Sequence, residues 1–508
     1  MNGLLSPALS RDLSASLVVF LVAMPLCMGI AIASGVPAEM GLVSGIIGGL
    51  VVGLIGGSPL QVSGPAAGLA VIVYEIVRTH GVEILGPMLV AAGILQMAGG
   101  VLRIGQWFRA ISPAVVHGML AGIGLLIVAV QLHVLLDADP LAGGLDNLIA
   151  IPEAFVDVFD DDNGLNGEMA LALGLVTILG MLGWERFRPK ALRLLPGALI
   201  GVVAATALAF ALELPVKRVD VPADLVAGLS LPAVSEFARL LEPTIVVATL
   251  GMALIASAES LLSAAAVDRM HDGARTNYDR ELGAQGVGNT LCGLVGALPI
   301  TGVIVRSSAN VQAGAATRLS AILHGAWILG FVALLPWLLA EVPTASLAGV
   351  LVVTGWRLIG FRHVRELLHR HGFLPAMIWG VTFTIVVAVD LLSGVLVGFA
   401  LALVEVVPHL RRRHLLIRRH ETGDGASEMR LAGSATFLHL PRLARELEAV
   451  PEGAELRLKT HRLAYIDHTC REMIADWAAR RANAGASVRL DGGEAKHEQR
   501  LAAVLPSA

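Results

Sequence analysis

The segment TLGMALIASAESLLSAAA (249–266) contains one charged residue, Glu259. A carboxylate in an apolar run costs free energy, so an ionisable residue in such a place is a functional candidate by default. Glu259 is suited to binding a proton, or a cation, as another species enters. Ser263 lies four residues on, on the same helical face, and offers an oxygen to such a site. The alternative is a glutamate kept neutral, or hydrogen-bonded, as a link between helices.

Two interrupted runs supply complementary chemistry. Residues 40–74 carry no charge but break at GGSPLQVSGPAAG (56–68), and residues 282–305 break at GALPITG (296–302). A helix that starts after such a break exposes N–H groups with no intrahelical acceptor and a partial positive charge. Two such starts facing one pocket make an anion site without a fully buried cation. In the first break, Pro65 can open a helix, and Ser63, Gly64, Ala66 and Ala67 let a ligand approach the backbone. Thr301, Gly302 and Val303 repeat the pattern in the second. Arg306, one turn after Gly302, would add positive potential behind the site, or else snorkel to the membrane interface.

These residues need a membrane scaffold, and composition provides one. The chain has 508 residues, 55% of them hydrophobic and only 15% charged, with a mean hydropathy of +0.73. Uncharged stretches recur at 13–38, 40–74, 84–102, 110–136, 194–212, 282–305, 319–340 and 372–389. Most reach the roughly 20 residues a helix needs to cross a bilayer. The chain therefore reads as an all-α polytopic membrane protein, and its first apolar run as a retained helix. Cys27, Cys292 and Cys470 form neither a disulfide framework nor a metal-ligand pattern. His117, His133 and His324 read as packed or interfacial residues. With no HExxH, GxSxG or P-loop pattern, nothing points to an enzyme, a cofactor or a nucleic-acid partner.

Charge sets the orientation. Between 135 and 168 there are nine acidic residues and no Lys or Arg, whereas 184–193 and 356–370 carry four basic residues each. Basic loops stay in the cytoplasm, so the acidic loop lies outside. The run Arg411–Arg413 with Arg418 and Arg419 marks a last exit to the cytoplasm. Splitting both broken runs gives 14 transmembrane elements with both termini inside, and the breaks fall at the third element of each seven. An odd-numbered repeat must be inverted, and interrupted segments at matching positions point to a transporter's binding site.

From about residue 415 the pattern changes. Strand-like EMRLAGSATFLHL, AELRLKTHRLAYI and ASVRLDG alternate with helical PRLARELEAV and CREMIADWAARRANAG, which predicts a small cytoplasmic α/β module at 415–508 after a membrane domain at 1–410.

The blocks AMPLCMGIAIASG (23–35), QVSGPAAG (61–68), SAESLLSAAAVD (257–268), ELGAQGVGN (281–289) and RSSANVQAGAATRLSAILHG (306–325) resemble the SulP sulfate-permease family. The terminal module looks like that family's STAS domain. The resemblance implies 7+7 inverted repeats divided into core and gate domains, elevator-type alternating access, and a homodimer. It implies an anion held by Ala66, Ala67 and the Gly302–Val303 backbone, with Arg306 as a basic residue nearby and Glu259 as the coupling acid. Sodium-driven bicarbonate members carry aspartate at the Glu259 position and a threonine where this chain has Ile304, which favours protons over sodium here. In the terminal module, Thr469 matches a phosphorylatable position, although an Asp/Thr pair at a helix start is also an ordinary cap. The expected function is proton-coupled transport of bicarbonate or sulfate across the inner (plasma) membrane. A C4-dicarboxylate symporter, a sodium-coupled bicarbonate symporter, an anion channel and a membrane-anchored signalling protein are the alternatives.

Overall fold

The computed structural model describes residues 7–108, 112–141, 144–159, 166–189, 192, 195–220, 231–268, 270–271, 273–360, 373–410, 415–421, 427–436, 439–451, 455–483 and 488–491. Asp160–Asp162, Lys190, Arg193, Arg362, Arg365, Arg370 and Arg411–Arg413, which entered the charge argument, lie outside them. Contacts divide the chain into two compact units. One comprises Met1–Gly105, Met119–Gly360 and Phe383–Gly394; the other comprises Gln106–Gly118, Phe361–Thr382 and Val395–Ala508.

The first unit is helical because apolar segments in lipid must satisfy every backbone polar group internally. Helix α1 (Pro7–Ala33) is followed by α2 (Ala38–Ile47), which continues through a π-helical turn (Gly48–Val52) to Ile55. Strand β1 (Ser63–Pro65) then leads into α3 (Ala67–His80), and α4 (Leu85–Val101), α5 (Pro113–Leu135), α6 (Gly144–Asp157), α7 (Asn166–Phe187) and α8 (Gly197–Ala211) follow. The same grammar returns in α9 (Pro243–Asp268), α10 (Tyr278–Leu294), β2 (Ile300–Gly302), α11 (Ile304–Gln312), α12 (Leu319–Leu334) and α13 (Thr344–Ile359). Helices α14 (Phe373–Ala388) and α15 (Leu391–Leu410), each divided between the two units, end the apolar part. Both breaks read from the sequence are present, each as a short strand before a short helix.

Among the described residues, six helices are long and apolar enough to cross a membrane, and five more are apolar but shorter. The acidic segment is not a plain loop as expected. It folds into α6, whose approach is fixed by Asn147: its Oδ1 accepts from the Leu141 N–H at 2.9 Å and its Nδ2 donates to the Leu141 carbonyl at 2.8 Å. The interspersed acids had masked its apolar residues.

Helices α4 and α10 approach almost backbone to backbone. Glycines recur every seven residues on α4 at 86, 93 and 100, and Gly293, Gly286 and Gly283 meet them from α10. A Cβ at Gly93 would stand 2.5 Å from the Gly286 carbonyl oxygen, and one at Gly286 2.6 Å from that of Gly93. Small residues at such spacing let membrane helices gain dispersion contacts that larger side chains would prevent. This pairing sets α10 close enough to place its polar side chains on the strand ribbon.

In the second unit, β3 (Leu416–Glu421), β4 (Ser427–Ala435), β5 (Leu456–Ile466) and β6 (Val488–Asp491) form one sheet in that order. The first pair is antiparallel and the other two are parallel. Helices α16 (Leu440–Glu448) and α17 (His468–Asn483) make the crossovers. Leu431, Leu443, Leu458, Ile474 and Trp477 share the buried apolar cluster, and Leu403 of α15 packs against it. Strand β3 was not anticipated, because LIRRHE reads as part of the basic exit run. Asp467 caps α17, its Oδ1 accepting from the Cys470 N–H at 2.8 Å. Thr469 is the second residue of that helix, and its side chain lies outside the described positions.

Candidate functional site

Strands β1 and β2 pair antiparallel in the register Ser63–Gly302, Gly64–Thr301 and Pro65–Ile300, and all six residues are buried. The Val303 N–H extends the ribbon by donating to the Val62 carbonyl at 2.9 Å. Two strands in an apolar surround leave two open edges, and each unsatisfied backbone group there costs several kcal/mol. Buried side chains close the β2 edge and anchor the β1 strand. On the β2 side, Asn289 of α10 accepts from the Ile300 N–H at 2.8 Å and donates to the Ile300 carbonyl at 3.0 Å. Ser260 of α9 accepts from the Gly302 N–H at 3.1 Å. On the β1 side, Ser307 Oγ accepts from the Val62 N–H at 2.9 Å. Gln285 donates to Ser63 Oγ at 2.7 Å and to Glu281 Oε1 at 2.8 Å. Glu281 Oε2 in turn accepts from the N–H groups of Gly57 and Ser58 at 2.7 and 2.9 Å.

This ribbon gathers most of the residues singled out by the sequence. Ala66 and Val303 are the N-cap residues of α3 and α11, and neither helix start carries a side-chain cap. Ala67 opens α3 and is half-buried. The Gly302 and Val303 N–H groups, expected to face an anion, are here bonded to Ser260 and Val62. The donors without an intrahelical acceptor are therefore those of the first turn, from Ile304 to Arg306.

Arg306 does not snorkel; it is 0% exposed. Its Nη2 donates to the Pro65 carbonyl at 3.4 Å, while Nε and Nη1 have no hydrogen-bond partner. No ion pair joins it to a carboxylate among the described residues. A Cβ at Gly64 would collide with its guanidinium, so a larger residue there would displace the Arg306 side chain. Cys27 lies at the guanidinium.

Glu259 sits across the ribbon. Its carboxylate lies against Gly68, in the first turn of α3, and accepts a hydrogen bond from the Thr301 hydroxyl. Its Oε2 is buried with no partner among the described residues. Ser263 is half-buried one turn further along α9, and no hydrogen bond joins it to Glu259. His324 is fully buried, its Nδ1 hydrogen-bonded to the Ala321 carbonyl at 2.5 Å, and His133 makes the same kind of bond to Ala129, both as packed residues do.

The site thus presents a buried guanidinium lacking an acid and a carboxylate lacking a base, on one ribbon that also carries two uncapped helix starts. That combination offers an anion several donors and positive potential, and offers a proton a carboxylate. Sequence reading missed Gln61, Gln96, Ser260, Glu281, Gln285 and Asn289. The available signal was polar side chains inside otherwise apolar, glycine-rich runs.

Residues 9–382 match the model of the sulfate permease family. YvdB of Bacillus subtilis is 30% identical over 354 residues, which are 69% of this chain and 64% of that protein. The bicarbonate transporter BicA of a Synechocystis species is 26% identical over 480 residues, covering 88% of this chain and 81% of its own. Among solved structures, the transmembrane domain of a cyanobacterium bicarbonate transporter BicA superposes with a TM-score of 0.67 at 24% identity. That match covers 77% of this chain and 98% of the other, and shows a shared fold.

Proposed function

The chain belongs to the sulfate permease family, and from that premise we propose that it is a secondary active transporter moving bicarbonate or sulfate together with protons. The observation that carries this reading is Arg306, fully buried beside β1 with two guanidinium nitrogens unpartnered. A guanidinium left so in an apolar interior is strongly unfavourable unless an anion completes it. The anion sits against the first turns of α3 and α11, where Arg306 and the helix dipoles read charge and size.

Glu259 carries the coupling proton. Its contacts with Gly68 and Thr301 put it on the same ribbon as the anion donors, so its charge state alters the potential the anion meets. Sodium seeks several oxygen ligands, and Ser263 makes no bond to Glu259 while Ile304 offers no side-chain oxygen. These points favour the proton.

The architecture under this reading is 14 transmembrane elements in 7+7 inverted repeats. The six long and five shorter apolar helices, together with α3, α10 and α11, support that count. A core domain carrying the ribbon moves elevator-fashion against a gate domain within a homodimer of the inner membrane. Both termini are cytoplasmic, with a membrane domain at 1–410 and a STAS domain at 415–508, where Thr469 is a regulatory position.

The test is uptake of labelled bicarbonate, sulfate and C4-dicarboxylates into proteoliposomes under an imposed pH or sodium gradient. Saturable uptake concentrated by an inward proton gradient is expected. Accumulation driven only by sodium, current without saturation, or no flux at all would replace the reading with a sodium symporter, a channel or a signalling protein, respectively.

A further inference from the structure

We propose that Asn289 is a positioning residue that fixes strand β2, which leads into the anion-facing start of α11, and ties it, through Gln96 and Ser257, to the helix bearing Glu259. The inference rests on the reading above that the anion meets the first turn of α11, into which β2 leads, and it adds a connection between the anion and proton elements.

Asn289, Gln96 and Ser257 are 1%, 2% and 4% exposed, on α10, α4 and α9. The Asn289 amide bonds both the N–H and the carbonyl of Ile300, as a residue of a neighbouring strand would. Its orientation is not a free choice, since the Ile300 carbonyl only accepts and the N–H only donates. The second proton on Nδ2 goes to Gln96 Oε1 at 2.8 Å, which leaves Asn289 with no spare donor. Gln96 Nε2 donates to Ser257 Oγ at 3.2 Å, and Ser257 donates to the Ala253 carbonyl at 2.5 Å. The chain therefore runs in one direction, from α10 through α4 to α9.

Its far end is two residues from Glu259. Three residues beyond Ser257, Ser260 accepts from the Gly302 N–H and donates to the Ala256 carbonyl at 2.8 Å. Helix α9 thus pins β2 directly at Gly302 and indirectly at Ile300. Thr301 lies between the two pinned residues, and its hydroxyl meets the Glu259 carboxylate. Holding Ile300 and Gly302 settles where Thr301 points and where α11 starts. Displacements of about 1 Å in such arrangements cost up to roughly a hundredfold in rate, so releasing Ile300 disturbs both the anion donors and the proton carrier.

The test uses intact protein in proteoliposomes and compares Asn289→Asp, Gln96→Leu, their double variant and Arg306→Ala. Asn289→Asp keeps the acceptor for the Ile300 N–H but loses both donations. It should raise the anion KM about tenfold, with maximal rate falling less. Gln96→Leu leaves both Ile300 bonds in place and should raise KM about threefold. Because Gln96 acts on β2 only through Asn289, the double variant should be no worse than Asn289→Asp alone; independent structural damage would instead multiply the two effects. A wild-type KM in Asn289→Asp, or multiplying effects, overturns the proposal. If Asn289→Asp does not reach the membrane, Gln96→Leu and Ser257→Ala carry the test, the pair expected to match the worse single variant. Arg306→Ala separates the two levels. Lost affinity there with normal Asn289→Asp kinetics removes only the role of Asn289, whereas normal affinity in both removes the site itself.

Discussion

The Glu259 carboxylate lies directly against Gly68, the second residue of α3, so a Cβ at position 68 fits only if the carboxylate moves. The contact joins the proposed proton carrier to a helix start that faces the anion. Gly68→Ala should force the carboxylate out of place while leaving the helices intact. Gradient-driven uptake should fall at least tenfold with little change in thermal unfolding. Normal accumulation in this variant would show that the contact has no part in coupling.

Glu259→Gln retains the shape and the oxygen that Thr301 donates to, but has no exchangeable acidic proton. Counterflow exchange of labelled anion should persist, and accumulation driven by a pH gradient should vanish. The two assays on one preparation check this. Concentrative uptake surviving in Glu259→Gln would place the coupling group elsewhere.

Arg306 meets the Pro65 carbonyl at 3.4 Å, and nothing neutralises it among the described residues. Arg306→Ala should weaken anion binding by about 1.5–3 kcal/mol, the range of hydrogen bonds to charged groups, or roughly ten- to a hundredfold in affinity. Arg306→Lys keeps the charge but loses the planar fork, and should lie between the two. Titration of purified protein with the transported anion measures both.

The membrane class, the two helix breaks and the placing of Glu259 and Arg306 beside those breaks were legible in the sequence, because the breaks and the two charges each interrupt the apolar background at one identifiable place. The ribbon's edge partners were not. Asn289 and Gln96 are matched across α10 and α4, nearly two hundred positions apart, and only the α4–α10 packing brings them together. Strand β3 and helix α6 were hidden for a related reason: charged residues interrupted their patterns, and tertiary partners decided the outcome. The Gly302 N–H could not be assigned from sequence either, since its acceptor, Ser260, lies on another helix.

In the C-terminal module, Glu428 receives Lys459 at 2.8 Å and Arg430 at 2.5 Å. Lys459 first, and Arg430 second, hold its carboxyl below the ordinary value of 4.5. A carboxyl whose folded value is depressed stabilises the fold above its unfolded value, and that contribution disappears as pH falls through the folded value. Glu428→Gln should therefore weaken the module by about 0.5 kcal/mol at neutral pH, as expected for an exposed pair. The gap to the parent should narrow below the unfolded value and close as pH falls through the folded value. Hydrogen exchange of β4 and β5 in the intact protein measures it.

The α4–α10 contact makes a prediction about the scaffold rather than the site. A methyl group at Gly93 would meet the Gly286 carbonyl oxygen at 2.5 Å and the Thr290 backbone nitrogen at 2.6 Å. Backbone atoms cannot rotate away, so the helices must separate, and Gly93→Ala should cost about 1–3 kcal/mol in overpacking. Separation would also draw α10 from β2 and lengthen the Asn289–Ile300 bonds, so anion affinity should fall together with stability. Gly183 of α7 is the control, because a Cβ there meets nothing within 4 Å. Gly183→Ala should be neutral or stabilising by up to about 1 kcal/mol, through better helix propensity alone. Thermal unfolding in detergent and anion titration, run on both variants, check the pair. Equal behaviour of the two would mean that close approach at Gly93 does not hold α10 against the ribbon.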